Sequence, residues 1–196
     1  ISTKKEIAQV ATISANDDSE IGNMIADAIE KVGDNGVITV EDSRSADTYT
    51  TFVEGMHFDR GYISPYFCTD VENLRVEYEN PFILLYEGTI SSTNDILPIL
   101  EHTTRTSRPL LIIADDVTGD ALTTMVMNSL RGALKACAIK SPGFGDRRKD
   151  LMEDLAVLTG AKYICTSSGD SLSKVSPKDL GTCKSVKITA KSTVIV

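Results

Sequence analysis

Tryptophan is absent from this 196-residue chain, and histidine nearly so, with only His57 and His102. The four cysteines, Cys68, Cys137, Cys165 and Cys183, stand singly; none forms a C-x-x-C pair and neither histidine neighbours one in sequence. The spacing of a zinc site or a disulfide framework is therefore missing, and the thiols read as reduced and mostly buried in a reducing compartment. No apolar run approaches the roughly 18 consecutive residues that a membrane span needs. Basic charge is in deficit, 20 Lys and Arg against 28 Asp and Glu, for a net charge of −8. That balance argues against nucleic acid or an anionic membrane as the main partner, because a phosphate surface needs a basic face. The one dense basic cluster, Arg147-Arg148-Lys149, is too short to reverse it. No Ser/His/Asp or Cys/His arrangement stands out, so catalysis has weak support.

What is present suffices for a core. Hydrophobic residues make up 41% and charged residues 24% of the chain, ordinary values for a globule, and the length fits one large domain or one domain with a smaller appendage. The chain opens at Ile1 and closes on the apolar run 193–196. Both ends read as cut from something longer, which leaves targeting open.

Helices are expected over 3–13 and after Asn16-Asp17-Asp18, whose side chains can cap free amides. In the second helix Ile21, Met24, Ile25, Ala28, Ile29 and Val32 share one face, and the Gly33–Gly36 segment ends it before a strand at 37–40. Residues 43–50 are polar and aperiodic, which places a hinge there. From Phe52 onward strands are expected at 75–78, 82–86, 110–114, 134–139, 163–165 and 185–189. They alternate with helices at 93–106, 120–132 and 147–159, the last stopped by Gly160. This is a mixed α/β (α+β) pattern, with extra antiparallel strands in the first half. No internal repeat or low-complexity tract occurs.

Five segments invite a functional reading. Along 120–132, Ala121, Leu122, Met125, Val126, Met127, Leu130 and Ala133 cover roughly 240° of a helical wheel, whereas a helix lying on a sheet needs a stripe of little over 100°. Either that helix is buried nearly all round or part of its apolar surface awaits a partner. The helix at 93–106 is milder, with Ile96, Leu97, Ile99 and Leu100 spanning about 160°; its Pro98 fits only if the helix starts near Asn94 or Asp95. Tyr62-Ile63-Ser64-Pro65-Tyr66-Phe67 suits either a docking segment or an edge folded over the core. Asp115 and Asp116 end an apolar strand, where paired carboxylates can hold magnesium, but a third ligand is missing and solvated loop acids are commoner. The turn from Ser141 to Lys149 looks like a phosphate cradle, yet it lacks both the third glycine of a dinucleotide fingerprint and the G-K-[ST] of a P-loop. A structural turn built on Gly143 and Gly145 is the simpler reading.

Together, FDRGYISPYF (58–67), PLLIIADDV (109–117), SLRGALKACAIKSPGFGDRRK (129–149) and IAQVATISAN (7–16) closely resemble the group I, bacterial-type chaperonins of the GroEL family, in order and over nearly the whole chain. The resemblance implies that residues 1–50 are part of an intermediate domain, with a hinge near 43–53. Residues 54–196 would be an apical domain, a swivelling β/β/α module cut short at its carboxyl-terminal end. It further implies a groove between two parallel helices that takes non-native polypeptides and the mobile loop of a GroES-type co-chaperonin. The family's apolar contact positions fall on Tyr62, Tyr66, Phe67, Leu97, Leu100, Leu122, Val126 and Met127, and its polar rim positions on Glu101, Thr124 and Asn128. On that reading Met125 and Leu130 face the core. The family's nucleotide loop and catalytic aspartate have no counterpart here, so this stretch is expected neither to bind nor to hydrolyse ATP. ATP, Mg2+ and a double ring of seven-membered rings would belong to the longer parent, in a bacterial cytoplasm or an organelle matrix.

Overall fold

Each of the first two helices begins at a side-chain oxygen that its free amides need. The computed structural model describes residues 3–33, 38, 40, 47–52 and 55–196. Helix α1 (Lys4–Ser14) starts with a capping box: Thr3 Oγ1 accepts from the Glu6 amide at 3.3 Å, and Glu6 Oε2 accepts from the Thr3 amide at 3.2 Å. Helix α2 (Ser19–Val32) is capped by Asp18 Oδ1, which accepts from the Glu20 and Ile21 amides. Asn16 and Asp17, both with left-handed backbone, turn the chain between them; these are among the few side chains that tolerate that conformation. Close packing of the pair depends on Gly22, where a Cβ would strike Thr12. Lys4 clamps it from outside through Asp27 at 2.6 Å and Glu30 at 2.8 Å. Small residues do the burying: Ala11, Gly22, Ala26 and Ala28 are interior, whereas Met24, Ile25, Ile29 and Val32 are half covered and Ile21 is exposed. The apolar face expected on α2 is thus real but mostly at the margin, since two helices alone cannot enclose it. Gly33, at φ 70°, ends α2. Residues 37 and 39 of the strand expected at 37–40 and residues 43–46 of the hinge expected at 43–50 lie outside the described residues, and the described positions 38 and 40 are not in a strand.

The chain divides into two compact units, Ile1–Val53 and Glu54–Val196. In the second, three consecutive apolar runs form parallel strands: β3 (Phe82–Tyr86), β5 (Leu110–Ala114) and β7 (Ala136–Lys140) lie in the order β7-β5-β3, continued by the short β8 (Tyr163–Ile164). Their unbroken hydrophobicity reflects cover on both faces: Ile83, Leu84, Leu85, Leu110, Leu111, Ile112, Ile113 and Ile139 keep no accessible surface. Each large aliphatic so buried contributes about 1.5–3 kcal/mol. Helix α5 (Asp146–Thr159) packs against β3, β8 and the antiparallel β9 (Gly181–Thr182), and ends at Gly160.

A separate antiparallel sheet has the order β1-β11-β10-β2, from β1 (Met56–Phe58), β2 (Val76–Glu79), β10 (Ser185–Ile188) and β11 (Thr193–Ile195). In β2 the alternation is strict, Val76 and Tyr78 inward against Glu77 and Glu79 outward. The antiparallel strands expected in the first half are therefore only half the sheet. Its two central strands come from the end of the chain, and the apolar run 193–196 enters as β11. Gly61 permits the crossing, since a Cβ there would overlap the Thr189 and Ala190 carbonyls.

Candidate functional site

Helices α3 (Thr93–Thr106) and α4 (Gly119–Leu130) are fixed side by side where they begin. Each follows a two-residue strand, β4 (Thr89–Ile90) and β6 (Asp116–Val117), and these pair parallel beyond the ends of β3 and β5. The clamp continues into the first two turns: the Thr118 amide donates to the Ile90 carbonyl at 2.9 Å, the Ala121 amide to the Ser91 carbonyl at 3.2 Å, and the Thr93 and Thr124 hydroxyls meet at 3.0 Å. Next to these contacts lies a cleft of about 370 Å³ lined by Leu97, Leu100, Glu101, Thr104 and Arg105 from α3, by Thr124 and Asn128 from α4, and by Ala133 and Leu134 beyond it. Facing positions advance together along both helices, so the two run parallel.

Pro98 does not sit in the first turn. α3 starts at Thr93, which puts the proline in the second turn, where it offers no amide to the Asn94 carbonyl. Its ring is on the exposed side of the helix, so no packing is lost to it. The α3 face otherwise divides as its spacing requires: Ile96 and Ile99 are interior, Leu100 is 5% exposed, and Leu97 is 41% exposed.

On α4 the excess apolar arc splits between core and surface. Ala121 and Met125 are fully buried, Leu122 and Val126 are half-buried against the core, and Met127 is 44% exposed. Leu130, expected to face the core, is instead 59% exposed. α4 ends at Leu130, the chain reverses at Gly132 with φ 70°, and the Ala133 and Leu134 amides both donate to the Asn128 carbonyl. That reversal sends Leu134 into the core in place of Leu130 and leaves Ala133, assigned to the helix by its period, in the turn beside the cleft. Asn128 also donates its side-chain amide to the Thr124 carbonyl at 2.7 Å, which holds one polar wall of the cleft.

The aromatic segment divides three ways. Residues Pro65–Phe67 form a single 3-10 turn packed on α4. Tyr66 leaves that turn 63% exposed, while Phe67 is 2% exposed and belongs to the core. Tyr62 is half-buried: it bridges Ile139 at the edge of β7 and donates its hydroxyl to the Leu74 carbonyl, and burial, followed by its neighbour Cys68, raises its phenol pKa. Of the residues singled out in sequence, the fold thus brings Leu97, Leu100, Glu101, Thr124 and Asn128 into one cleft. It sets Leu122, Val126, Met127 and Tyr66 on or against α4, and directs Phe67 inward. Thr104 and Arg105 were passed over, although they lie one helical turn from Leu100 and Glu101 and so share the cleft face.

The acidic pair at the strand ends is already engaged. Asp115 pairs with Arg148 at 2.9 Å and accepts from Ser141 at 3.3 Å, while Asp116 pairs with Lys140 at 3.5 Å and accepts from the Val117 amide. Among the described residues no group of three or more His, Cys, Asp or Glu could hold a metal ion. The glycine turn is a structural one: Gly143 and Gly145 both have left-handed backbone, and Arg148 donates to the Gly143 carbonyl at 3.4 Å. Asp115 therefore pins that turn to the sheet. All four cysteines are free thiols, Cys137 and Cys165 buried, Cys68 and Cys183 half-buried. Burial pushes the Cys137 thiol pKa up, and that of Cys183 to about 11.

Among the described residues the cleft is lined by aliphatic carbon from Leu97, Leu100, Ala133 and Leu134 and by the polar side chains of Glu101, Thr124 and Asn128. The sequence model of the TCP-1/cpn60 chaperonin family matches residues 1–196, the full span of the sequence, so the chain belongs to the TCP-1/cpn60 chaperonins, a family of protein-folding chaperones.

Proposed function

We propose that residues 54–196 act as the polypeptide-capturing domain of a group I chaperonin, with the α3–α4 cleft as the capture site. The observation that carries the reading is the outward placement of Leu97, which lines the cleft, and of Met127, next in sequence to the cleft-lining Asn128, on two helices joined at their starts, with the exposed Tyr66 ring beside α4. A non-native chain would lay apolar side chains along the cleft. Glu101, Thr124 and Asn128 would meet its backbone amides and carbonyls, a contact that does not depend on client sequence. Leu100 would form the floor, Leu122 and Val126 the half-buried shoulder, and Tyr62 and Phe67 would support the turn that presents Tyr66.

Each anchor is worth about 1.5–3 kcal/mol only if fully buried, and immobilising a flexible client costs several kcal/mol. One domain should therefore hold a client weakly, and a ring of them far more tightly through effective concentration. The resemblance to GroEL supports a seven-membered double ring and a GroES-type co-chaperonin competing for the same cleft. It also supports residues 1–50 as an intermediate-domain segment, and ATP and Mg2+ as ligands of the parent rather than of these residues. Four free thiols agree with a bacterial cytoplasm or an organelle matrix.

The test is binding of a fluorescently labelled, denatured client to Met127→Glu and Tyr66→Glu. Both side chains are exposed, so the circular dichroism spectrum and melting temperature should hold while affinity falls at least tenfold. Unchanged affinity in both variants refutes the assignment.

A further inference from the structure

Of the five methionines, Met127 is the most open to solvent, 44% exposed. Met125, two residues before it on α4, and Met152 on α5 keep no accessible surface, and Met24 and Met56 are partly covered. Positions 125 and 127, on opposite sides of the helix, thus carry the same thioether in opposite settings, one sealed in the core and one 44% open and next in sequence to the cleft-lining Asn128. Thioether oxidation is governed by access of the oxidant to sulfur and has no protonation step to slow it, unlike the thiols, whose reactive form is the thiolate. Burial raises the pKa of Cys137, Cys165 and Cys183 and keeps them protonated near neutral pH.

We propose that Met127 is a reversible oxidation site that weakens client capture, with a hydroperoxide as oxidant; the inference rests on the cleft being the capture site. In the reaction a sulfur lone pair attacks the distal oxygen of the hydroperoxide, the O–O bond breaks and an S–O bond forms. The remaining oxygen leaves with the proton as water or an alcohol, and sulfur is oxidised by two electrons. The product replaces an apolar, polarizable contact with a strongly dipolar sulfoxide. A client side chain covering it would strip water from that dipole without supplying a donor, a penalty that weakens binding by roughly tenfold. Exposure limits the cost to folding: the sulfoxide projects into solvent in the free protein, while the buried Met125 that holds α4 to the core is shielded. Reduction by a methionine sulfoxide reductase restores the thioether.

The experiment exposes the full chain to graded hydrogen peroxide, quenches it, and reads every methionine and cysteine by peptide mass spectrometry alongside client affinity. Met127 should oxidise first, well before Met125 and Met152, with affinity falling in step and recovering on reductase treatment, which does not reduce oxidised cysteine. Met127→Leu, whatever its own affinity, should keep that affinity through the same treatment. Equal oxidation of Met127 and Met125, undiminished affinity at full Met127 oxidation, or a peroxide loss persisting in Met127→Leu would each overturn the inference. Met127→Glu separates the two levels. If it binds clients normally, the capture site itself is misplaced; if it loses binding while the sulfoxide does not, only the oxidation site falls.

Discussion

Leu97 and Leu100 lie three residues apart on one helix and line one cleft, yet they should behave oppositely when cut back to alanine. Leu100 is 5% exposed and its side chain belongs to the core. Leu100→Ala removes buried methyl groups and leaves a cavity, at a cost of about 2–5 kcal/mol in folding free energy. Leu97 is 41% exposed, so it has less to lose on folding than Leu100 and about two-fifths of its surface still to bury against a client. Scaling the value of a fully buried leucine, about 1.5–3 kcal/mol, by that fraction gives about 1 kcal/mol, or about fivefold in Kd. Urea unfolding of the two variants, with fluorescence anisotropy of a labelled denatured client, reads both quantities. The expected result is a crossed pattern: Leu97→Ala binds about fivefold more weakly with the smaller midpoint shift, and Leu100→Ala shows the large midpoint shift. Comparable destabilisation by both, or an unchanged Kd for Leu97→Ala, refutes the division of α3 into a packed and a presented side.

Other consequences can be measured directly. Gly61→Ala would drive a methyl group into the Thr189 and Ala190 carbonyls and should lower stability by about 1–3 kcal/mol in urea melts, with no direct effect on the cleft. Arg148→Ala releases the Asp115 carboxylate and should raise hydrogen exchange over 141–149 while leaving client affinity intact; unchanged exchange would mean the ion pair does not hold the turn. Calorimetry with Mg2+ and ATP should give no binding heat, because Asp115 and Asp116 already have cationic partners, and micromolar binding would revive a nucleotide-dependent reading. The folded Cys183 thiol titrates at about 11, against an ordinary 9.0. Between those values the unfolded chain loses its proton first, so the Cys183 contribution to stability is constant below about pH 9 and declines towards 11. Relative to Cys183→Ala, the wild type should lose urea midpoint over that window, and a flat difference would contradict the burial that shifts the thiol.

Much of the fold was legible because local rules agreed with the tertiary ones. The runs 82–86 and 110–114 became β3 and β5 because uninterrupted aliphatic stretches of that length are what two-sided burial demands. Asp18 and Gly160 marked helix ends because capping is a contact within one turn. The wheel of α4 was too wide for a core stripe, a property of spacing alone that left all-round burial and a presented surface both open; Met127 and Leu130 are the part that stays outside. The breakdowns came where a distant segment intervened. Periodicity carried α4 on to Ala133, but the left-handed turn at Gly132 ended it and exchanged Leu130 for Leu134 in the core. Pro98 argued for a late helix start, yet β4–β6 pairing fixed the start at Thr93.

The sequence by itself determined the types of the main helices and strands and the excess of apolar residues on α3 and α4. Only the tertiary structure decided which apolar residues are presented, putting Phe67 and Leu100 inside and Tyr66, Leu97 and Met127 outside. It also made the closing run 193–195 a central strand rather than a loose end. The reason is that periodicity assigns a side chain to a face of its own element, whereas burial depends on what another part of the chain lays against that face. Here that was decided by the β4–β6 clamp, the Pro65–Phe67 turn and the Leu134 reversal, each a contact the local pattern does not contain.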